Sequence, residues 1–378
     1  MFLIHPIFCT IHKNIANLNM GYHMTQPTYL VKDFETFIGL DVDKSSFSLT
    51  VNNDSQRAKS KKMPSNPEHL YNYIQNHFDH KKVICAYEAG PTGFHLHDYL
   101  TEKDVLCLIT SPASIPKASN QRVKNNRIDS IKIVDHLMSG KLKPIRVPQG
   151  PYRELRDLVK IRNQYATDRK TAKQRIKAYL LYSNLHTALK DPDSNWSSKY
   201  INDLKQIECS FAERQRLSML IEDLEYARNK LLLVQRTLRS FCRENDEITQ
   251  YIHYLRSIPG IGFIIAVTLL GNIGSPIYLQ NPRELASFAG LTPKENSTGD
   301  SVNRGSITQL GDKTLRFLLV EASWVAIRKD TQLSQFYHRI RRKNNPRIAS
   351  KIAITAVARK LTQIIYRVLK DKREYIQH

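Results

Sequence analysis

The chain has 378 residues, long enough for two or three domains, and 41% of them are hydrophobic, enough to bury cores of ordinary size. Its 57 Lys and Arg outweigh 35 Asp and Glu, and the formal charge of +22 points to a polyanionic partner, because each cation seated on a phosphate releases condensed counterions. No apolar run reaches the roughly 18 residues a membrane-spanning helix needs, and the cysteines form no C-x-x-C pair, which argues against a zinc ribbon or redox dithiol and fits a reducing, cytoplasmic setting.

The opening M-F-L-I-H-P-I-F-C-T-I is apolar but broken by His5 and Pro6, and it has no basic leader, so it fits a signal peptide poorly. Residues 1–35 read as an extension to the first domain, with Met20 or Met24 as alternative starts. Residues 37–42 and 46–51 are short β-rich runs joined by a turn at Asp43–Ser45, a hairpin. Residues 67–78 follow a helical period with Leu70, Tyr73, Ile74 and Phe78 on one face. The run V-I-C-A-Y-E (83–88) reads as a strand buried on both faces, and Val105–Thr110 as another. Between them, 92–101 reads as a helix with Thr92 as its N-cap. Alternating strands and helices imply an α/β domain.

Residues 152–185 form a long helical stretch without Gly or Pro. Its basic residues outnumber its acids, and Arg162, Arg169, Lys173 and Lys177 are candidates for a nucleic-acid backbone. We group it with the first domain, as 36–190. Residues 188–203 carry turn chemistry and read as a linker. Within 204–247, Leu217, Leu220, Leu224, Ala227, Leu231, Val234, Leu238 and Phe241 recur in steps of three and four, the seam of a coiled coil, and pairing between chains is the expected use. The last domain, 252–372, opens on a helix-hairpin-helix-like segment around Pro259-Gly260-Ile261-Gly262, whose Gly260 and Gly262 would let backbone N–H groups face a phosphate. Residues 283–290 read as a helix, 293–312 as a polar loop, and 313–328 and 347–371 as amphipathic helices, the last strongly basic.

Three carboxylates stand out in the first domain. Asp41 sits in a strand, where a carboxylate is costly without compensation. Glu88 ends a second strand, and Asp129 lies in N-N-R-I-D-S-I-K-I-V-D-H-L, a helix expected to pack back on the sheet. Converging carboxylates repel one another, and a hard divalent cation, Mg²⁺ or Mn²⁺, relieves that. Asp43 and Asp135 read instead as turn and helix-surface acids. The start G-L-D-V-D-K-S also occurs in actin-like sugar kinases, but the second Gly/Asp-rich phosphate turn they need is absent.

The segments F-I-G-L-D-V-D-K-S-S, A-Y-E-A-G-P-T-G-F and V-K-N-N-R-I-D-S-I-K-I, in that order, resemble the RuvC-like domain of the DEDD transposases of bacterial insertion sequences, the IS110 and IS1111 group. L-R-S-I-P-G-I-G, F-A-G-L-T-P-K-E-N-S-T-G-D and G-S-I-T-Q-L-G-D-K-T-L-R-F-L-L-V-E-A resemble that family's C-terminal domain. The resemblance spans about 36–370. It implies an α/β RNase H-like (RuvC-like) N-terminal domain, a coiled-coil middle and a mostly α-helical C-terminal transposase domain. It implies four acidic metal positions, matched by Asp41, Glu88, Asn126 and Asp129; at the third, an amide oxygen can ligate Mg²⁺ but brings no negative charge. It also implies a serine nucleophile in the C-terminal loop, for which Ser297 and Thr298 are the candidates and the primary hydroxyl of Ser297 is favoured. Arg304, Lys313 and Arg316 are near enough in sequence to hold the scissile phosphate. DNA and a guide RNA encoded by the element are the implied partners, a homo-oligomer the implied assembly, and the nucleoid the implied location. The alternatives are a nucleic-acid-binding remnant that has lost catalysis, or a RuvC-like junction nuclease that works without the serine.

Overall fold

The computed structural model describes residues 29–53, 56–112, 114, 126–188, 196–295, 304–308 and 310–377. Two compact units divide the chain, the first ending at Val147 and the second beginning at Pro148.

The first unit is built on five strands: β1 (Thr36–Val42), β2 (Ser46–Asn53), β3 (Gln56–Pro64), β4 (Val83–Glu88) and β5 (Leu106–Thr110). Their order is β3-β2-β1-β4-β5; β1 to β3 form an antiparallel meander, and β4 and β5 run parallel to β1. Helices α1 (Pro67–His77) and α2 (His95–Glu102) cover one face and α3 (Asn126–Met138) the other. Alternation along the strands serves both layers. Ile38 and Leu40 pack with Leu70, Ile74, Leu96 and Leu100, while Phe37, Ile84 and Ala86 pack with Ile133, Val134 and Leu137. Coverage of both faces is why β1 and β4 are nearly continuous apolar runs.

The expected hairpin is therefore part of a three-stranded meander. The sequence of β3, Q-R-A-K-S-K-K-M-P, shows no apolar alternation because it is the sheet's edge: Lys59, Lys61 and Lys62 are exposed and only Met63 is buried among its described side chains. Charged edges of this kind discourage pairing with another chain. Helix α2 begins at His95, three residues later than expected, with Phe94 rather than Thr92 at the N-cap position; Gly93, at φ +70°, holds the preceding turn open. The supposed extension is not wholly separate either. Phe34 is buried, and the Tyr29 phenol donates to the Leu137 carbonyl (2.7 Å), tying 29–35 to α3.

The second unit is mostly helical: α4 (Pro151–Tyr182), α5 (Ser198–Gln206), α6 (Phe211–Arg243), α7 (Asp246–Arg256), α8 (Phe263–Ile273), α9 (Pro282–Phe288), α10 (Lys313–Lys329), α11 (Thr331–Arg342) and α12 (Pro346–Asp371), with a short hairpin of β6 (Pro293–Glu295) and β7 (Arg304–Ile307). Helices α4 and α6 form an antiparallel pair. Leu155 and Val159, early in α4, share a core with Val234 and Leu238, late in α6; Ala172, Ile176 and Tyr179 meet Leu217, Ile221 and Leu224 at the other end. The heptad seam expected to join two chains is thus buried within one. Its register is also slightly different, with Ile221 and Cys242 fully buried in place of Leu220 and Phe241.

The basic helix expected at the end of the first domain packs as α4 in the second unit. Besides α6 it lies on α8, where Gly271 permits the approach: a β-carbon there would stand 3.1 Å from the Arg156 Cα. The expected linker 188–203 overlaps α5, capped by the Ser197 hydroxyl on the Tyr200 N–H and anchored by buried Tyr200, Ile201 and Leu204. Strands β6 and β7 pair inside what read as a plain loop, and α11 lies where no element was expected. No helix among the described residues is long and apolar enough to cross a membrane.

Candidate active site

The site of interest in the first unit is the carboxyl edge of its parallel strands. Leu40 pairs with Tyr87, so Asp41 and Glu88 occupy the next, matching positions of β1 and β4. Residues 37, 39, 84 and 86 face α3, and by the two-residue period Asp41 and Glu88 share that face. Helix α3 crosses here because Gly39 leaves it room: a β-carbon on Gly39 would meet the Ser130 carbonyl oxygen and the Val134 backbone nitrogen. The Ser130 hydroxyl is further pinned by a 2.8 Å hydrogen bond with Thr50. Asp129, in the first turn of α3, precedes Ser130, and its carboxylate pairs loosely with Lys132 (3.9 Å). Asp41, Glu88 and Asp129 are all half-buried.

One strand pairing and one helix contact thus bring positions 41, 88 and 129 to the same end of the sheet. Among the described residues, no three His, Cys, Asp or Glu side chains are gathered tightly enough to hold a metal ion. The donor chemistry, all carboxylate oxygen, suits a hard cation. Helix α3 begins at Asn126, whose side chain lies outside the described atoms. Asp43 accepts from the Lys44 N–H and the Ser45 hydroxyl in an exposed turn, as a turn acid does, and Asp135 is exposed on α3.

In the second unit, Ser297 and Thr298 lie outside the described residues, between β6 and β7. Arg304 opens β7, with its side chain likewise outside them. Lys313 is exposed at the first position of α10, beside the N-cap Asp312, which accepts from the Leu315 N–H and from the Asn272 amide. Arg316 holds the fold together, since its guanidinium donates to the Ala289 carbonyl (3.0 Å) at the end of α9. Gly260 is structural as well. It sits at φ +90°, and a β-carbon would lie 2.2 Å from the Ala322 carbonyl oxygen of α10, so packing demands the glycine without any phosphate. Gly262 is the N-cap position of α8, with open space where a side chain would stand.

The basic face of α4 is denser than its sequence suggested. Arg169, Lys173 and Lys177 follow one another at four-residue steps, and Arg228 of α6 joins them. Burial, then Arg169, Arg228 and Lys177, hold the Lys173 ammonium below its ordinary pKa. Its ammonium also lies 5.3 Å from the centroid of the Trp196 ring. Arg162, half-buried, is likewise shifted down by burial and then by Arg169. Arg228 escaped the sequence reading because only the antiparallel pairing of α4 and α6 brings it to this face.

Two family models match the chain. That of the Transposase IS116/IS110/IS902 family covers residues 252–338, and the DEDD transposase model of the IS110 type covers 38–183; together they take in more than half of the chain, in the family's order. The chain belongs to the IS110-type transposase family. A Sinorhizobium fredii protein described as a transposase is 24% identical over 371 residues, 90% of each chain. The transposase for insertion sequence element IS1533 of Leptospira borgpetersenii is 22% identical, over 77% of this chain and 85% of its own. The pilin gene-inverting protein of Moraxella bovis is 33% identical over 131 residues, 34% of this chain and 40% of its own. This transposase is thus an insertion-sequence enzyme of DNA strand cleavage and transfer. Its first matched region runs through α4 although α4 packs in the second unit, so family segment and compact unit do not coincide.

Proposed function

We propose that this transposase cuts and rejoins DNA with a hard divalent cation, Mg²⁺ or Mn²⁺, held by Asp41, Glu88 and Asp129 with Asn126 beside them, and with a hydroxyl nucleophile from Ser297 or Thr298. The observation that carries the reading is the β1–β4 register, which sets Asp41 beside Glu88 under the first turn of α3. The strand order, two parallel strands appended to an antiparallel meander, supports an RNase H-like domain. When bound, the cation supplies a Lewis acid for a phosphoryl oxygen. The nucleophile's hydroxyl oxygen bonds to phosphorus, the bond to the departing sugar oxygen breaks, and that oxygen takes up the proton the hydroxyl gives up. Arg304 and Lys313, which follow the segment that bears the nucleophile, neutralise phosphate charge.

The cations of α4, joined by Arg228, hold nucleic-acid backbone, and an RNA encoded by the element is the proposed guide. Such a chain works on DNA in the cytoplasm, at the nucleoid. With the heptad seam used internally, self-association falls to the exposed side of α6, where Met219, Tyr226 and Leu233 recur every seventh residue.

The test is capture of a protein–DNA adduct with metal present. An adduct lost in Ser297→Ala and in Asp41→Asn supports the reading; one that survives Ser297→Ala but not Thr298→Ala moves the nucleophile to Thr298. Cleavage without any adduct would instead favour a junction nuclease. A second reading rests on Asn126, which leaves the metal site one negative charge short: a nucleic-acid-binding chain without cleavage, which Asn126→Asp would reactivate and which wild-type cleavage would sink.

A further inference from the structure

Helices α11 and α12 lie side by side, joined by a short turn, and the tail after α12 folds back beside them. Between them opens a cleft of about 560 Å³, lined by both helices and the tail. That is within the roughly 300–1,000 Å³ of ligand pockets. Three cations line it, Arg339 from α11 and Lys360 and Arg367 from α12, and no carboxylate does. All three are exposed, and among the described residues none forms an ion pair. The acids nearest along the chain are already engaged: Asp371 with Arg373 (3.1 Å) and Glu374 with His253 (2.7 Å). Lys360 and Arg367 are two turns apart on one face, on the order of 10 Å along the axis, room for more than one phosphate.

The cleft is not only cationic. Phe336 lines it half-buried, the Arg339 guanidinium lies 5.3 Å from the centroid of its ring, and Tyr375 stands on the tail side. Gln335 adds an exposed amide able both to donate and to accept. Cations that track a backbone beside an aromatic platform suit a strand whose bases are free to leave the stack. A duplex keeps its base faces covered and has nothing to lay against Phe336. A free phosphate would leave both the ring and the amide unused.

We propose that the cleft between α11 and α12 binds single-stranded nucleic acid, its phosphates on Arg339, Lys360 and Arg367 and a splayed base against Phe336. This deepens the proposed function and rests on its nucleic-acid substrate, but its test reads binding rather than cleavage. The whole chain is titrated with labelled single strands of about 10 nucleotides, as DNA and as RNA of one sequence, with the matching DNA duplex, and with polyaspartate as a polyanion that has no bases. The triple variant Arg339→Gln/Lys360→Gln/Arg367→Gln is expected to bind either single strand at least about tenfold more weakly and to lower the salt slope by about 2, at roughly 0.7 for each phosphate no longer held. Duplex binding, carried by α4, stays within about twofold. Phe336→Leu weakens single-strand binding by at least about fivefold and by up to about 150-fold, the range of one base–aromatic stack, and leaves the salt slope unchanged.

The contrast between DNA and RNA arms identifies the strand. Equal loss of duplex binding, wild-type affinity in the triple variant, or a loss confined to polyaspartate would each overturn the assignment. Should Phe336→Leu melt early, photocrosslinking of a 5-iodouracil strand to the wild-type chain decides: a crosslink within α11 supports the site, and crosslinks confined to α4 overturn it. If cleft variants lose binding while no adduct ever forms, the proposed catalysis fails and the site stands; if adducts form and cleft variants bind like wild type, the site alone fails.

Discussion

A β-carbon placed on Gly39 would stand 2.3 Å from the backbone carbonyl oxygen of Ser130. Strand β1 and the first turn of α3 therefore touch backbone to backbone, two residues before Asp41 on one side and one residue after Asp129 on the other. Gly39→Ala must push α3 off the sheet, and overpacking of this kind costs about 1–3 kcal/mol. Thermal melting should show that loss. Cleavage should fall further than the unfolded fraction explains, because Asp129 moves with the helix. A Gly39→Ala protein that melts and cleaves like wild type would show that α3 yields freely and that the contact does not place Asp129.

The cations gathered on α4 and α6 repel one another, and a polyanion relieves the repulsion. Lys173→Gln and Arg228→Gln should each reduce the slope of log affinity against log salt by up to about 0.9 on duplex DNA. Arg228→Gln should not lower the melting temperature, since it removes a like-charge contact, and Lys173→Gln, which also gives up the Trp196 ring, should cost no more than about 1 kcal/mol. A destabilised variant with an unchanged salt slope would mean that these side chains pack α4 on α6 rather than bind backbone.

The Tyr375 phenol donates to Asp330 Oδ2 (2.6 Å), and its pKa is pushed up to about 12, first by burial and then by that carboxylate. An unfolded tyrosine titrates near about 10. The folded chain thus keeps this proton longer than the unfolded one. The stabilisation it brings is complete below about pH 10 and is lost as the pH rises through about 12. In denaturant melts across that window, the stability difference between wild type and Tyr375→Phe should shrink steadily. A constant difference would show that the bond contributes the same in either protonation state.

Much of the first unit was legible because its core strands are buried on both faces and its turns use ordinary chemistry. The runs around Ile38–Asp41 and Ile84–Glu88 gave both the strands and the two carboxylates that end them. What escaped is what periodicity cannot register. Strand β3 exists through backbone pairing at an edge, with lysines outward, and β6 and β7 are held the same way. Helix α11 is the exception: Leu333, Phe336, Tyr337 and Ile340 recur at i, i+3, i+4 and i+7 and all pack on the core, so its stripe was legible and was passed over. The seam of α6 was plain, but a heptad states only that an apolar stripe needs a partner. That α4 supplies it depends on a fold-back that no local signal encodes. Gly260 looked like a phosphate hairpin because a glycine demanded by Ala322 reads no differently from one demanded by a ligand.

The tail that walls the cleft has a mechanical side. The Tyr375 N–H is held by the Ser257 hydroxyl, its phenol by Asp330, and the Gln377 amide reaches the Lys329 carbonyl. Ser257 sits just ahead of the glycine turn, 118 positions away, and Asp330 at the α10–α11 corner, 45 away. Two residues, Tyr375 and Gln377, thus clasp two corners of the bundle that the chain reaches at widely separated points. Trimming them would release both corners at once. A bulky fusion joined directly at this end would strain the same clasp, whereas a spacer should spare it.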